Sequence, residues 1–492
     1  MLTGRFSKMR LHIDGEINRT YCQNLCLIFF PGAKFPENEM QDFSVPEVYI
    51  KLWEEGEYAL SEAVIVDRDK KEKGYGKAHI PSFISRNRAI KTAVGEAMLE
   101  AGTKLLGTPP QWGIVIGVRP AKVASEMRSR GLDKEGVVSA LIWEFHLSEK
   151  KARLLAEVNE REERAAALAK EGTCSLYVSI PFCPTRCAYC SFVSYSTPRY
   201  LSMLPEYLDT LCLDIEDMCR EIKERGEKLL TVYVGGGTPT SLDEKQLERL
   251  ITTINRSVGD TKLLEFTVEA GRPDTVTKEK FDIMVSNGVD RTSINPQILD
   301  DNVLKVIGRG HTVSDFYSAY DLAKKSGIRS VNTDLIAGLP SSDFKIFSKT
   351  VDEIVNLSPE NITVHTYCVK RAAEFTEKVN TKKENLDIYS YSDIETSSCV
   401  DYSQDVLYKN GYKPYYLYRQ RNSRGNLENV GFSKEGYDGL YNIFIMEELH
   451  NIYAVGAGAV TKLVGGGNDK IKRIFEPKYS YEYLKQHKNA GK

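Results

Sequence analysis

Residues 174–192, CSLYVSIPFCPTRCAYCSF, combine a short apolar run with a cluster of cysteines. The run at 175–180 has the length and the β-branched content of a buried strand. Cys183, Cys187 and Cys190 follow it within eight residues, whereas the other seven of the ten cysteines are scattered along the chain. The stretch therefore predicts a strand that leads directly into a loop with three thiols.

Three clustered thiols without a fourth favour an iron–sulfur centre. A [4Fe-4S] cube takes one thiolate per iron, so three protein thiolates leave one iron with an open coordination position. A structural zinc site closes with four ligands, but the loop has no fourth Cys or His, and Cys174 is a strand length away. The spacing thus indicates the cube, with zinc and unligated or redox-active cysteines as the alternatives.

Beyond residue 170, short β-branched runs alternate with helical patterns. The predicted strands are 175–180, 229–234, 263–269, 291–295, 330–335 and 361–366, and the helices between them are 204–225, 243–254, 278–286, 313–326 and 344–357. This alternation predicts an α/β fold with parallel strands joined by right-handed crossovers. Six such units indicate a partial (β/α)6 barrel, with a doubly wound sheet as the alternative. Either fold places reactive groups at the carboxyl ends of the strands.

The rest of the chain predicts two further regions. Residues 1–170 form an N-terminal α+β domain and a helical connector, with β-rich runs at 11–17, 26–30, 47–53 and 63–67 and helical patterns at 87–106, 121–130, 134–145 and 149–170. Residues 371–492 are irregular and rich in tyrosine, and form a C-terminal extension that covers the open barrel. Residues 171–370 are then the barrel.

The composition argues against two classes of binding partner. The chain has 66 basic and 68 acidic residues, and this balance favours neither nucleic acid nor a membrane as a partner. Its apolar runs are much shorter than the roughly 20 residues of a membrane span. An export signal and a regular disulfide spacing are both missing from the sequence, so we expect a cytoplasmic location that keeps the thiols reduced.

The residues LYVSIPFCPTRCAYCSF resemble the radical S-adenosylmethionine enzymes through their Cys-x3-Cys-x2-Cys loop. The preceding Y-x-x-I-P-F-C narrows the resemblance to the oxygen-independent coproporphyrinogen III oxidase family. The segment WGIVIGVRPAKV, at 112–123, is similar to its longer coproporphyrinogen dehydrogenase branch, often labelled HemZ. The resemblance implies a [4Fe-4S] cluster on the three cysteines and S-adenosylmethionine on the open iron.

The same resemblance implies the chemistry. An external electron donor of the flavodoxin or ferredoxin type reduces the cluster, and cleavage of S-adenosylmethionine gives a 5'-deoxyadenosyl radical. In the best-known relatives this radical removes hydrogen from propionate side chains of a tetrapyrrole substrate, coproporphyrinogen III. Loss of carbon dioxide then leaves vinyl groups, a step of haem and porphyrin biosynthesis.

Each predicted strand end supplies residues that match the cofactor site of this family. Gly235, Gly236, Gly237 and Thr238 would bind the methionine amino group, Arg309 its carboxylate, Glu269 a cation or ribose hydroxyls, Asp334 the ribose hydroxyls, Gln297, Tyr189 and the backbone of Cys368 the nucleoside, and Tyr177, the catalytic residue, would face the sulfonium. A tight turn, a surface ion pair or core packing is the ordinary alternative at each position. His311 is expected to be structural.

The match weakens in two places. Phe192 stands where the best-described oxidases have a further cysteine, and haem chaperones share the phenylalanine. A haem-binding chaperone and a radical enzyme acting on another substrate are therefore alternatives. The cations available for propionates, among many tyrosines, are Lys370, Arg371, Arg419, Arg421 and Arg424. An ordinary solvated segment is the alternative for this region.

Overall fold

A computed structural model describes residues 8–36, 45–80, 86–190, 192, 196–368, 393–420, 423–465 and 471–490. The chain divides into two compact units, residues 1–157 with 419–422, and residues 158–418 with 423–492. This division falls inside a helix, whereas the sequence places the domain boundary after that helix, near residue 170. The three-domain arrangement stays a prediction.

The first unit contains one small sheet and several helices. Its elements are β1 (Arg10–Asp14), α1 (Arg19–Phe29), β2 (Glu47–Glu55), β3 (Tyr58–Asp67), β4 (Lys70–His79), α2 (Arg86–Leu106), α3 (Ala121–Ser129), α4 (Lys134–Phe145) and the first half of α5 (Glu149–Ala166). The sheet order is β1-β2-β3-β4, with β1 parallel to β2 and the other pairs antiparallel. Helix α2 packs closely on β4, where a Cβ at Gly76 would lie 1.9 Å from the Ala93 carbonyl oxygen.

The strand predicted at 26–30 is wrong, because these residues end α1. Cys22, Leu25, Cys26 and Phe29 are buried at helical spacing. Asn18 caps the helix by accepting a hydrogen bond from the Tyr21 amide at 3.1 Å. A short apolar run satisfies either periodicity, and here the cap and the buried stripe decide for the helix.

The second unit contains the predicted alternation. Its elements are the second half of α5, β5 (Thr173–Ile180), α6 (Pro198–Leu201), α7 (Leu204–Glu224), β6 (Lys228–Gly236), α8 (Glu244–Val258), β7 (Glu265–Glu269), α9 (Lys278–Ser286), β8 (Arg291–Ser293), α10 (Asp301–Val306), α11 (Val313–Lys325), β9 (Ser330–Ala337), α12 (Phe344–Leu357), β10 (Asn361–Thr366), α13 (Asp393–Lys409), β11 (Lys413–Arg419), β12 (Glu428–Ser433), α14 (Leu440–Glu447), β13 (Asn451–Val455), β14 (Val460–Leu463), β15 (Lys472–Phe475) and α15 (Ser480–Ala490).

The six parallel strands β5 to β10 lie side by side in chain order, which confirms the partial barrel. The strand order of a doubly wound sheet would reverse partway, and this one does not. The described strands of the second unit form one open sheet, in the order β11-β12-β10-β9-β8-β7-β6-β5-β13-β14-β15. The C-terminal extension therefore supplies strands at both edges, with β12 antiparallel to β10 and β13 parallel to β5.

The crossover helices begin at well-formed caps. Asp243 and Gln246 form a capping box at α8, and Thr312 and Asp315 form another at α11. Helix α8 follows the end of β6, so its positive end borders the edge where we expect the site, whereas α10 lies between β8 and α11. Among the described residues, no helix combines the length and the apolarity needed to cross a membrane.

Candidate active site

The candidate site lies where the six parallel strands end. β5 ends at Ile180, directly before the cysteine loop, and β7 ends at Glu269. Because neighbouring strands are parallel, these ends share one edge of the sheet with the residues that follow β6, β8, β9 and β10. The fold thus brings the predicted residues of distant segments to a common edge.

The cysteine loop rests on the ends of β6 and α10. Cys183 Sγ lies 3.4 Å from Thr238 Oγ1, and the Ala188 amide donates to the Ile307 carbonyl at 2.9 Å. Gly308 has a φ of +73°, and a Cβ there would lie 3.0 Å from the Arg186 carbonyl oxygen. A glycine at this position lets the turn after α10 approach the loop.

The three thiols of the loop are the proposed ligands of the cluster. None of the ten cysteines, all in the described part of the chain, is in a disulfide. No group of three or more His, Cys, Asp or Glu among the described residues is arranged to hold one metal ion. A cube binds each thiolate to a different iron, so its sulfur ligands do not converge on one point as zinc ligands do.

The triglycine turn packs against the cysteine loop. Gly236 has a φ of +105°, and a Cβ at Gly237 would lie 2.6 Å from the Phe182 carbonyl oxygen and 2.7 Å from that of Ile180. The Gly237 amide donates to the Ile180 carbonyl at 2.8 Å, and the Thr238 amide donates to the Phe182 carbonyl at 2.7 Å. The glycines are therefore needed for packing, and their role towards the methionine amino group stays a prediction.

Glu269 is a half-buried carboxylate with a raised pKa. Burial raises its pKa to about 7, and Asp334 adds to the rise, although a hydrogen bond from the Tyr233 hydroxyl opposes it. A carboxyl group with this pKa changes charge near neutrality. A cation bound beside it would favour the ionised form.

Asp334 is ionised and held by amides. It accepts hydrogen bonds from Asn295 Nδ2 at 2.8 Å and Asn332 Nδ2 at 2.7 Å. Burial acts to raise its pKa, but hydrogen bonds from His365, Asn332 and Thr363 lower it below the ordinary value of an aspartate. The neighbours of the predicted ribose-binding carboxylate thus keep it negatively charged.

His365 is a site residue that the sequence did not single out. Its Nε2 lies 3.9 Å from Asp334 Oδ2, and its Nδ1 lies 3.3 Å from the Tyr418 hydroxyl. The signal was present in the alternation of β10, since Thr363 and His365 project to the same face of the strand as each other. A lone histidine in a strand is too common to be distinctive.

Arg309 and Gln297 each have a buried polar atom without a hydrogen-bond partner in the part of the chain that the structure describes. Arg309 is buried, and its two terminal nitrogens donate to the carbonyls of Gly271 at 3.2 Å and Asn295 at 3.0 Å. Its Nε and the Oε1 of Gln297, which has a φ of +65°, are buried without a hydrogen bond among the described residues. Buried polar atoms are normally paired, so these two atoms fit a site for a polar ligand.

The tyrosines occupy two places. Tyr177 is stacked with Tyr233 and Tyr441, whose ring centroids both lie 6.2 Å from its own. Tyr189 lies within the cysteine loop, between Cys187 and Cys190. Burial raises its pKa, Arg309 opposes the rise, and Cys187 and Cys190 add to it. The catalytic role of Tyr177 and the adenine contact of Tyr189 stay predictions.

The structure places the remaining residues that the sequence singled out, and their roles stay predictions. The backbone of Cys368 pairs with Ser423 after the end of β10. His311 is 3% exposed, and burial lowers its pKa to about 3, so its ring is neutral. Phe192 is 63% exposed.

The cations expected near the propionates divide between the two units. Arg419 is buried in the first unit, where it donates to the Val115 carbonyl at 2.6 Å and lies over Trp112, an ordinary structural role. Arg424 lies in the second unit, with its guanidinium 5.6 Å from the Tyr367 ring. Lys370, Arg371 and Arg421 lie outside the described residues.

The comparisons with known proteins identify the family. Residues 177–354 match the model of the radical SAM superfamily. The chain is 36% identical to the oxygen-independent coproporphyrinogen-III oxidase-like protein HemZ of Bacillus subtilis, over 80% of this chain and 78% of that one. It is 30% identical to the heme chaperone HemW of Lactococcus lactis, over 59% of this chain and 70% of that one.

A solved structure supports the fold. The coproporphyrinogen III oxidase HemN of Escherichia coli matches with a TM-score of 0.52 and 20% identity, over 67% of this chain and 72% of that one. The three-cysteine loop, the family model and the HemZ relative all indicate the same family. The chain belongs to the oxygen-independent coproporphyrinogen III oxidase-like family of the radical SAM superfamily, whose cofactors are a [4Fe-4S] cluster and S-adenosylmethionine.

Proposed function

We propose that this chain is an oxidoreductase that decarboxylates the propionate side chains of coproporphyrinogen III without oxygen. Two of the propionates each lose a hydrogen atom to the cofactor-derived radical, an electron to an external one-electron acceptor and the carboxylate as carbon dioxide, and a vinyl group remains. The similarity to the oxidase-like relative supports this substrate, because it extends over 80% of the chain. When bound, the cluster and S-adenosylmethionine supply the radical that removes the hydrogen atom.

One observation supports the binding of a polar cofactor at the strand ends. Arg309 Nε and Gln297 Oε1 are buried without a hydrogen bond among the described residues, at the edge that also holds the cysteine loop. Leaving such atoms unpaired is unfavourable, so a polar ligand bound at this edge would be stabilised by pairing with them. A methionine carboxylate offers an acceptor for Arg309 Nε, and a nucleoside offers a donor for Gln297 Oε1.

We assign the other roles from this arrangement. Cys183, Cys187 and Cys190 hold the cluster, the carbonyls at Gly235–Gly237 accept hydrogen bonds from the methionine ammonium group, and the ionised Asp334 accepts them from ribose hydroxyls. Tyr177 faces the sulfonium, and Arg424, in the second unit, binds a propionate. A flavodoxin or ferredoxin supplies the electrons in the cytoplasm, where the thiols stay reduced.

Product analysis under anaerobic conditions tests this function. Reconstituted protein is incubated with a reductant, S-adenosylmethionine and coproporphyrinogen III, and Cys187→Ala is the matched control. We expect vinyl porphyrin and 5'-deoxyadenosine from the unmodified chain and neither from the variant. Release of 5'-deoxyadenosine with an unchanged tetrapyrrole would contradict the assigned substrate and point to another one.

A haem-binding chaperone is the second candidate function. The relatives include a heme chaperone at 30% identity, and Phe192, 63% exposed, occupies the place of the oxidases' further cysteine. For this function, stoichiometric binding of haem without any vinyl product is the expected result of the same assay. Haem titration followed by absorbance measures the stoichiometry.

A further inference from the structure

Arg272 contacts the cysteine loop with a buried guanidinium group. Its side chain is 3% exposed. Nη1 donates to the Cys187 sulfur at 3.6 Å and to the Thr185 carbonyl at 3.2 Å, while Nη2 donates to Thr185 Oγ1 at 2.8 Å. One buried cation thus binds both the backbone of the loop and the sulfur of a proposed iron ligand.

The orientation of this guanidinium is fixed from its other side. Asp274 accepts hydrogen bonds from Arg272 Nε and Nη2, both at 3.1 Å. A Cβ at Gly310 would lie 3.2 Å from Arg272 Nη2, so the segment after α10 also packs closely here. Asp274 binds the Nε and Nη2 edge of the planar guanidinium, and this orientation points Nη1 at the Cys187 sulfur.

A fixed donor at a thiolate sulfur changes the energy of electron transfer. Reduction adds a negative charge to an iron–sulfur cluster, and hydrogen bonds to its sulfurs, net charge and solvent exposure set its potential. A cation whose N–H is already aimed at the sulfur stabilises the reduced state without reorganising. The two nearest contacts of the Arg309 guanidinium, by contrast, are backbone carbonyls.

We infer that Arg272 is a positioning residue that holds Cys187 and raises the reduction potential of the cluster. The inference rests on the proposed assignment of Cys187 as an iron ligand. It extends that function by naming the residue that makes the cluster easier to reduce by a weak physiological donor. Arg272 acts through Cys187 and does not contact the substrate.

The potential of the reconstituted cluster tests the inference. We would titrate the full-length protein anaerobically without S-adenosylmethionine and follow the reduced cluster by electron paramagnetic resonance. Arg272→Gln should lower the ratio of reduced to oxidised cluster at a fixed potential by about tenfold, a shift of about 59 mV for one electron. Arg272→Lys keeps the charge but loses the planar fork, so it should shift the potential less and in the same direction.

The control is Arg249→Gln, since Arg249 pairs with Asp209 on the protein surface at 2.5 Å. It should leave the potential unchanged. An unchanged potential in Arg272→Gln, or a shift to more positive values, would overturn the inference, as would loss of iron from both Arg272 variants, which would show a structural role only. A shifted potential with no vinyl product would leave the inference standing and contradict the substrate alone.

Discussion

The hydroxyl of Tyr233 on β6 donates a hydrogen bond to the carboxylate of Glu269 at the end of β7. This bond opposes the effect of burial, which raises the pKa of Glu269 to about 7. Tyr233→Phe should raise that pKa further, by about one unit, because a bond to a charged group is worth about 1.5–3 kcal/mol. Binding of S-adenosylmethionine, measured at several pH values, should then begin at a higher pH. Tyr415→Phe, a buried tyrosine of the same unit, is the control.

Glu269 also makes stability depend on pH. Its pKa is raised from 4.5 to about 7, so its contribution to stability is complete below pH 4.5 and is lost as the pH rises through 7. Glu269→Gln removes this loss. At pH 8 its free energy of unfolding should exceed that of the unmodified chain by about 3 kcal/mol, whereas at low pH the two should differ little. Urea unfolding of both apoproteins, at pH 8 and at low pH, measures this difference in the free energy of unfolding. Glu279→Gln, at an exposed position of α9, should show no such difference.

Cys187→Ala should abolish the cluster and leave the fold intact. The substitution affects one loop, whereas the sheet and helices of the second unit do not depend on it. We expect loss of iron and of the charge-transfer absorbance, with an unchanged circular dichroism spectrum. Cys219→Ala, at a buried position of α7, should keep its iron. Normal iron content in Cys187→Ala would remove this residue from the ligand set.

Arg309→Ala should weaken cofactor binding without removing iron. Its guanidinium is held by the carbonyls of Gly271 and Asn295, and its Nε has no hydrogen-bond partner among the described residues. We expect affinity for S-adenosylmethionine to fall at least tenfold, since charged hydrogen bonds contribute about 1.5–3 kcal/mol. Equilibrium dialysis with an iron assay separates the two effects. An equal loss of iron and cofactor would make Arg309 a structural residue.

Gly237→Ala should destabilise the junction between β6 and the cysteine loop. Its Cβ would lie 2.6 and 2.7 Å from two carbonyl oxygens, and backbone atoms cannot move aside as side chains can. We expect a loss of about 1–3 kcal/mol in the free energy of unfolding, together with poorer iron retention. Gly136→Ala in α4 is the control, because there the nearest atom, at 3.1 Å, belongs to a side chain. Equal stability of the two variants would contradict the close packing.

The barrel could be predicted from the sequence because its strands repeat one local pattern. Six apolar runs are separated by amphipathic helices, and the run at 361–366 coincides with β10. β13 could not be found in this way. The residues Asn451–Val455 lie in an irregular region, and their parallel pairing with β5 is a contact between segments far apart in the chain.

Part of the candidate site could likewise be proposed from the sequence, and its residues stay predictions. The cysteine loop, the glycines and the carboxylates have distinctive neighbours in the sequence, so each could be located. Arg272 and His365 could not, because a single arginine or histidine near a strand end occurs in many proteins for ordinary reasons. Only the fold shows that Arg272 lies against Cys187 and His365 near Asp334.

The position of the C-terminal strands has a consequence for synthesis. Both edges of the parallel sheet, β5 and β10, are completed by residues after 412, namely by β13 and β12. During synthesis the six barrel strands therefore emerge from the ribosome first, and the edges of β5 and β10 stay unpaired until β12 and β13 have been made. Unpaired strand edges of this kind favour association between nascent chains, so pairing with β12 and β13 removes this risk only late in synthesis.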